Sequence, residues 1–113
     1  MELTHKNTED ILIITLDGDL IGENSGVKIL EVVNDALNDN IFGIAVEVEK
    51  VRYMNSSGLG VLITLLTKVK NKGGEVVLIN PSDQIKKLLE ITKLHTVFTC
   101  HKTEDEAVKY LKS

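Results

Sequence analysis

The chain has 113 residues, a formal charge of −4, 42% apolar and 27% charged residues, the size and balance of one soluble globular domain. Aromatic residues are only 4% of the total, so the core has to be aliphatic, and at this length roughly two thirds of the unfolded surface can be buried without staples. The acidic balance with scattered lysines argues against a nucleic-acid partner, the single cysteine, Cys100, excludes an internal disulfide, and neither a secretory signal nor an apolar run of about 18 residues is visible, so a cytoplasmic protein that does not span a membrane is expected.

Taken in order, residues 2–6 form a candidate first strand that turns through the polar residues 7–10 into Ile11-Leu12-Ile13-Ile14-Thr15-Leu16, a β-branched run, and the pair reads as a hairpin. Asp17-Gly18-Asp19 ends the second strand. A helix is predicted over about 25–38, with Ile29, Leu30, Val33, Ala36 and Leu37 on one face. The third strand, 42–48, alternates: Phe42, Ile44, Val46 and Val48 point one way, Gly43, Ala45 and Glu47 the other, so one face is expected to lie open.

A second helix, about 57–72, carries Leu59, Leu62, Ile63, Leu66 and Val69 on one stripe with Val61 and Leu65 beside it, and Gly73-Gly74 is its left-handed stop. Val76-Val77-Leu78-Ile79 has the unbroken apolar character of an interior strand. Asn80-Pro81 is the expected start of a third helix seated on Ile85, Leu88 and Leu89, with Pro81 at its first position. A short strand over 96–100 follows. Thr103-Glu104-Asp105-Glu106 then reads as a capping box opening a last helix held by Ala107, Val108 and Leu111. After the hairpin the order is β-α-β-α-β-α-β-α, which predicts an α/β domain over 1–113 with a mostly parallel sheet of four to five strands and an antiparallel strand at its start.

The chemically suggestive stretch is Met54-Asn55-Ser56-Ser57-Gly58-Leu59-Gly60-Val61-Leu62, where a strand-like segment gives way to the second helix. A serine here can cap the helix by accepting from its free backbone N–H groups, and the same groups would welcome a phosphate carried on the hydroxyl. From the residues alone both readings stand. Gly58 and Gly60 lack the third glycine of a dinucleotide motif and the Lys-Ser/Thr of a P-loop, so close packing or a tight first turn is their expected role. Asp17 and Asp19 have the spacing of an aspartate-nucleophile phosphatase, without an evident supporting lysine and second acidic pair. His5, His95 and His101 lack metal-ligand spacing, so no metal or cofactor is expected, and Cys100 is expected to be buried and inert, on the opposite face from His101.

That nine-residue stretch resembles the signature of the STAS domain, the family of bacterial anti-sigma factor antagonists found also as the cytosolic tail of sulfate transporters. The resemblance extends to Leu16-Asp17-Gly18-Asp19-Leu20, to Gly73-Gly74-Glu75-Val76-Val77-Leu78, and to Ile85-Lys86-Lys87-Leu88-Leu89 with Leu94 and Val97-Phe98. It implies a single STAS domain acting as a binding switch and not as an enzyme. An anti-sigma factor that is also a serine kinase would bind the unmodified chain, and phosphorylation would release it. A PP2C-type phosphatase would reverse the modification.

By position the phosphorylated residue would be Ser56, with Ser57 the less favoured neighbour, and the binding surface would comprise Asn55, Ser56, Ser57, Gly58, Leu59 and Asp19, with the loop that follows Asp19 as far as Asn24. The family usually has Asp where this chain has Asn55. Asn removes a like charge from beside the phosphate and changes what a kinase or phosphatase would read there. A constitutive STAS scaffold, with Ser56 serving only as a cap, is the alternative. The oligomeric state is not legible.

Overall fold

Every residue from Ile11 to Ile14 is buried, which a strand achieves only when both of its faces are covered. The computed structural model, which describes residues 2–21 and 23–112, shows how. Strand β1 (Glu2–Thr8) pairs antiparallel with β2 (Ile11–Asp17), and β3 (Gly43–Lys50), β4 (Glu75–Ile79) and β5 (Thr99–His101) add in parallel, giving one five-stranded sheet in the order β1-β2-β3-β4-β5. The hairpin is tighter than expected. The strands run on to Thr8 and from Ile11, and Glu9 and Asp10 make a two-residue turn with φ of 52° and 65°, both left-handed as a type I′ turn requires.

Helices α1 (Glu23–Asn38), α2 (Ser56–Asn71) and α3 (Asp83–Ile91) cover one face of the sheet. The main core lies between: Leu12, Ile14 and Leu16 from β2, Ile44, Val46 and Val48 from β3, Val76 and Leu78 from β4, met by Ile29 and Val33, Leu62 and Leu66, Ile85 and Leu89. Helix α4 (Glu104–Lys112) covers the other face, where Ala107 and Val108 close over Ile11, Ile13, Ala45, Val77 and Ile79.

That second layer corrects the expectation of an open sheet face: Ala45 is fully buried, its small side chain leaving room for α4. Beyond α4 the face does open, where half-buried Glu47 accepts a long 3.4 Å hydrogen bond from the Thr15 hydroxyl and Glu49 is exposed. At the β1–β2 end, Lys112 pairs with Glu9 at 2.8 Å and Lys6 with Glu104 at 3.2 Å; exposed pairs of this kind fix orientation more than they stabilise.

Several local expectations shift. Phe42 precedes β3 and stays 38% exposed, while Ile41 enters the core. The stripe on α2 is narrower than expected, since Ile63 faces solvent. Pro81 does not open α3. Asn80 takes a left-handed φ of 50°, Pro81 is buried in the loop, and Ser82 is the N-cap, its hydroxyl accepting from the Ile85 N–H at 3.4 Å. Residues Leu94–Thr96 form a 3-10 turn, so the last strand starts later than expected. Before α4 the Thr103 hydroxyl accepts from the Glu106 N–H at 3.2 Å, but the Glu106 carboxylate reaches the N–H of Lys102, one residue before the position a capping box would use. Gly73, with φ of 81°, supplies the expected left-handed stop after α2.

Candidate functional site

The parallel sheet places the carboxyl ends of β2 and β3 side by side, and the chain leaving each is held to the other. The Gly18 N–H donates to the Lys50 carbonyl at 3.2 Å and the Leu20 N–H to the Tyr53 carbonyl at 2.9 Å, and Leu20 and Met54 form an isolated parallel bridge. Leu20, Val51 and Met54 are buried anchors beneath this pair of segments, 0%, 0% and 4% exposed. Each anchor sends the residues beside it outward, so that Asp19, Ile21, Arg52 and Tyr53 are exposed around the start of α2.

The N-cap of α2 is Asn55. Its backbone is extended, with φ −91° and ψ −177°, and its side-chain oxygen accepts from the Gly58 N–H at 2.8 Å. This corrects the assignment of the cap to a serine. Ser56 and Ser57 are instead the first two residues of the helix, both exposed, and neither hydroxyl is engaged by another described residue. Their backbone N–H groups belong to the unpaired donors of the first turn, and α2 carries no acidic side chain there to use the positive end of its dipole.

Gly58 has a reason to be glycine. A Cβ on it would overlap the backbone carbonyl oxygen of Leu20, so the helix start can press against the bridged segment only where no side chain intervenes. Gly60 does not share that reason: nothing lies within 4 Å of where its Cβ would be, so of the two roles expected, close packing or a tight first turn, close packing does not apply to it.

Of the residues expected to bind a partner, Asn55, Ser56, Ser57 and Asp19 lie on one surface around this junction, whereas Gly58 and Leu59 are buried below it, Leu59 with 9% exposure in the main core. Of the loop after Asp19, Gly22 lies outside the described residues, as do the side chains of Glu23 and Asn24. Two exposed apolar side chains lie on the two bridged segments, Ile21 at 48% exposure in the loop expected to contribute to the surface, and Tyr53 at 56%, which the sequence did not single out. Alternation could have suggested Tyr53, one residue before buried Met54.

At the carboxyl ends of β2 and β3 is a cleft lined by Asp17, Gly18, Asp19, Glu49, Lys50 and Arg52, three acidic and two basic residues among them. Among the described residues no group of three His, Cys, Asp or Glu side chains is placed to hold a metal ion, and no helix is long and apolar enough to cross a membrane. Cys100 is exposed on the edge strand, not buried as expected. Partial burial of its thiol raises the pKa, with Lys86 pulling the other way. His101 lies apart from it against Tyr110, ring centroids 4.9 Å apart.

The family model described as STAS domain matches residues 2–107. A Thermotoga neapolitana protein named as a candidate anti-sigma factor antagonist is 28% identical over 105 residues, covering 93% of each chain. The fold is shared with a candidate anti-sigma factor antagonist of Thermotoga maritima, with a TM-score of 0.87 at 22% identity over 98% of this chain and 95% of that one. It is shared too with the anti-sigma factor antagonist SpoIIAA of Bacillus. Its unphosphorylated form superposes with a TM-score of 0.76 at 21% identity over 99% of each chain, and its phosphorylated form with 0.76 at 22% over 96% and 98%.

Proposed function

Because this chain belongs to the STAS domain family, we propose that it is an anti-sigma factor antagonist whose exposed Ser56 is the switch. The unmodified chain binds an anti-sigma factor that is also a serine kinase, and so frees the sigma factor. Phosphorylation of Ser56 by that kinase, with ATP as donor, ends the interaction, and a PP2C-type phosphatase restores it.

The observation that carries this reading is the division of labour at the start of α2. Asn55 makes the cap, so the Ser56 hydroxyl has no structural task and stands exposed beside unpaired backbone donors. A scaffold in which Ser56 is only a cap is not supported by this arrangement. The phosphate adds a charge of about −1.5 to −2 on a surface that also presents Ser57, Ile21, Tyr53, Asp19 and Arg52, so a partner seated there meets a strongly hydrated group it has to desolvate.

The test is phosphotransfer in vitro. The anti-sigma kinase encoded by the same genome is incubated with labelled ATP and the wild-type, Ser56→Ala or Ser57→Ala chain. Label on wild type and Ser57→Ala but not on Ser56→Ala is expected; label retained by Ser56→Ala would move the switch elsewhere.

A further inference from the structure

The two edges of the sheet are not alike. Strand β5 spans three residues, whereas β1 runs for seven in unbroken register with β2, without a proline or a bulge, devices that ordinarily blunt an edge. The two-residue turn makes Thr8 and Ile11 a hydrogen-bonded pair, so by alternation Glu2, Thr4, Lys6 and Thr8 bond to β2, and the backbone N–H and C=O groups of Leu3, His5 and Asn7 point out of the sheet. These outward groups have no partner among the described residues.

We propose that the β1 edge is a surface for a second copy of this chain: two β1 strands pair antiparallel about a two-fold axis at Thr4, joining the two sheets into one. The charges select that register. With Leu3, His5 and Asn7 outward, the axis can stand at Thr4, His5 or Lys6. An axis at Lys6 sets the two Lys6 side chains against each other, and one at His5 faces Glu2 with Thr8 and Lys6 with Thr4. Only the axis at Thr4 puts Glu2 opposite the partner's Lys6, twice by symmetry, at non-hydrogen-bonded positions where side chains come closest. Lys6 then stands between the partner's Glu2 and its own Glu104, 3.2 Å away.

In this register Leu3 exchanges both of its outward backbone hydrogen bonds with the partner's His5, and His5 with the partner's Leu3. On the α1 side Leu3 is only partly buried against the core, and the partner's His5 covers it at the groove between β1 and α1 lined by Leu3, His5, Lys28, Glu31 and Val32. A contact of one strand edge is small, so the dimer is weak and forms with rising concentration. The two copies of β2 run antiparallel across the axis, which sends their carboxyl ends, and the two serine junctions, to opposite ends of the joined sheet. Ser56 stays exposed, and the proposal does not rest on its being the switch.

The test is sedimentation equilibrium at low salt, from about 10 μM to about 1 mM chain, on wild type, Glu2→Lys, Lys6→Glu and an equimolar mixture of the two variants. Wild type is expected to pass from monomer to dimer. Each variant alone faces like charges at both pairs and is expected to dimerise at least about tenfold more weakly, while the mixture restores opposite charges at both and associates as wild type does. A fourth chain, His5→Pro, keeps the charges and removes an outward N–H that the monomer does not use, so it is expected to melt as wild type does and to stay monomeric. Wild type monomeric throughout overturns the proposal. So do single variants that dimerise like wild type, a mixture no tighter than its components, or a dimer that survives His5→Pro.

Discussion

Ser56→Asp is expected to weaken binding of the chain to its anti-sigma kinase several-hundredfold, about 3–4 kcal/mol, measured by calorimetry or surface binding against wild type. The fold gives this variant an unusually clean reading. Position 56 is the first residue of α2 and exposed, and an acidic side chain in the first turn of a helix is favourable by about 0.3–1 kcal/mol, so the variant should melt no lower than wild type. Lost binding could then not be ascribed to lost structure. Ser56→Ala is equally informative, because the cap belongs to Asn55 and survives the change. It should bind at wild-type affinity and stay bound when ATP is supplied, whereas wild type is released. Equal release of both by ATP would take the switch away from Ser56.

The second large effect is on folding. Gly58→Ala is expected to destabilise the domain by about 3 kcal/mol or more, seen as a fall of roughly 10–20 °C in thermal midpoint or a matching loss in urea. The new methyl group would meet the Leu20 carbonyl, and neither side can yield cheaply. Leu20 is fully buried, its N–H is bonded to Tyr53 at 2.9 Å, and it is bridged to Met54, so moving it breaks the contact that aligns the ends of β2 and β3. Moving α2 instead would withdraw Leu62, Leu65 and Val69 from the core. A fall of less than about 1 kcal/mol would show that the two segments are not pressed together as described. Any damage to partner binding by this variant is expected to follow from displacement of the serine turn, not from a lost contact.

Much of this was legible in the sequence because the strongest signals are local. The apolar run from Ile11 to Leu16, the turn at Gly73 and the apolar Val76-Val77-Leu78-Ile79 each fix a strand or a helix end by their own chemistry, and their order dictates a mostly parallel sheet. The covered back face was not legible, because Ala45 and Glu47 alternate as a solvated strand would, and only the packing of α4 shows that a small residue there admits a helix. Cys100 misled for a related reason: it follows the apolar Val97 and Phe98, but its short strand lies at the edge of the sheet.

The motif marked where α2 starts but not which residue caps it. Asn55, Ser56 and Ser57 are all good N-cap residues, and what selects Asn55 is the depth to which Met54 and Leu59 must be buried on either side. The contact between Gly58 and Leu20, residues far apart in sequence, had no local signature beyond the glycine itself. Tyr53 likewise became visible as an exposed neighbour of Ile21 only once Leu20 and Met54 were seen bridged.

The most direct measurement is tandem mass spectrometry of the chain isolated from its own cells, in growth and under stress, on the segment that contains Ser56 and Ser57. Phosphate on Ser56, with an occupancy that changes between the two conditions, is the expected result. A segment free of phosphate in every condition, or one modified only at Ser57, would contradict the switch at Ser56.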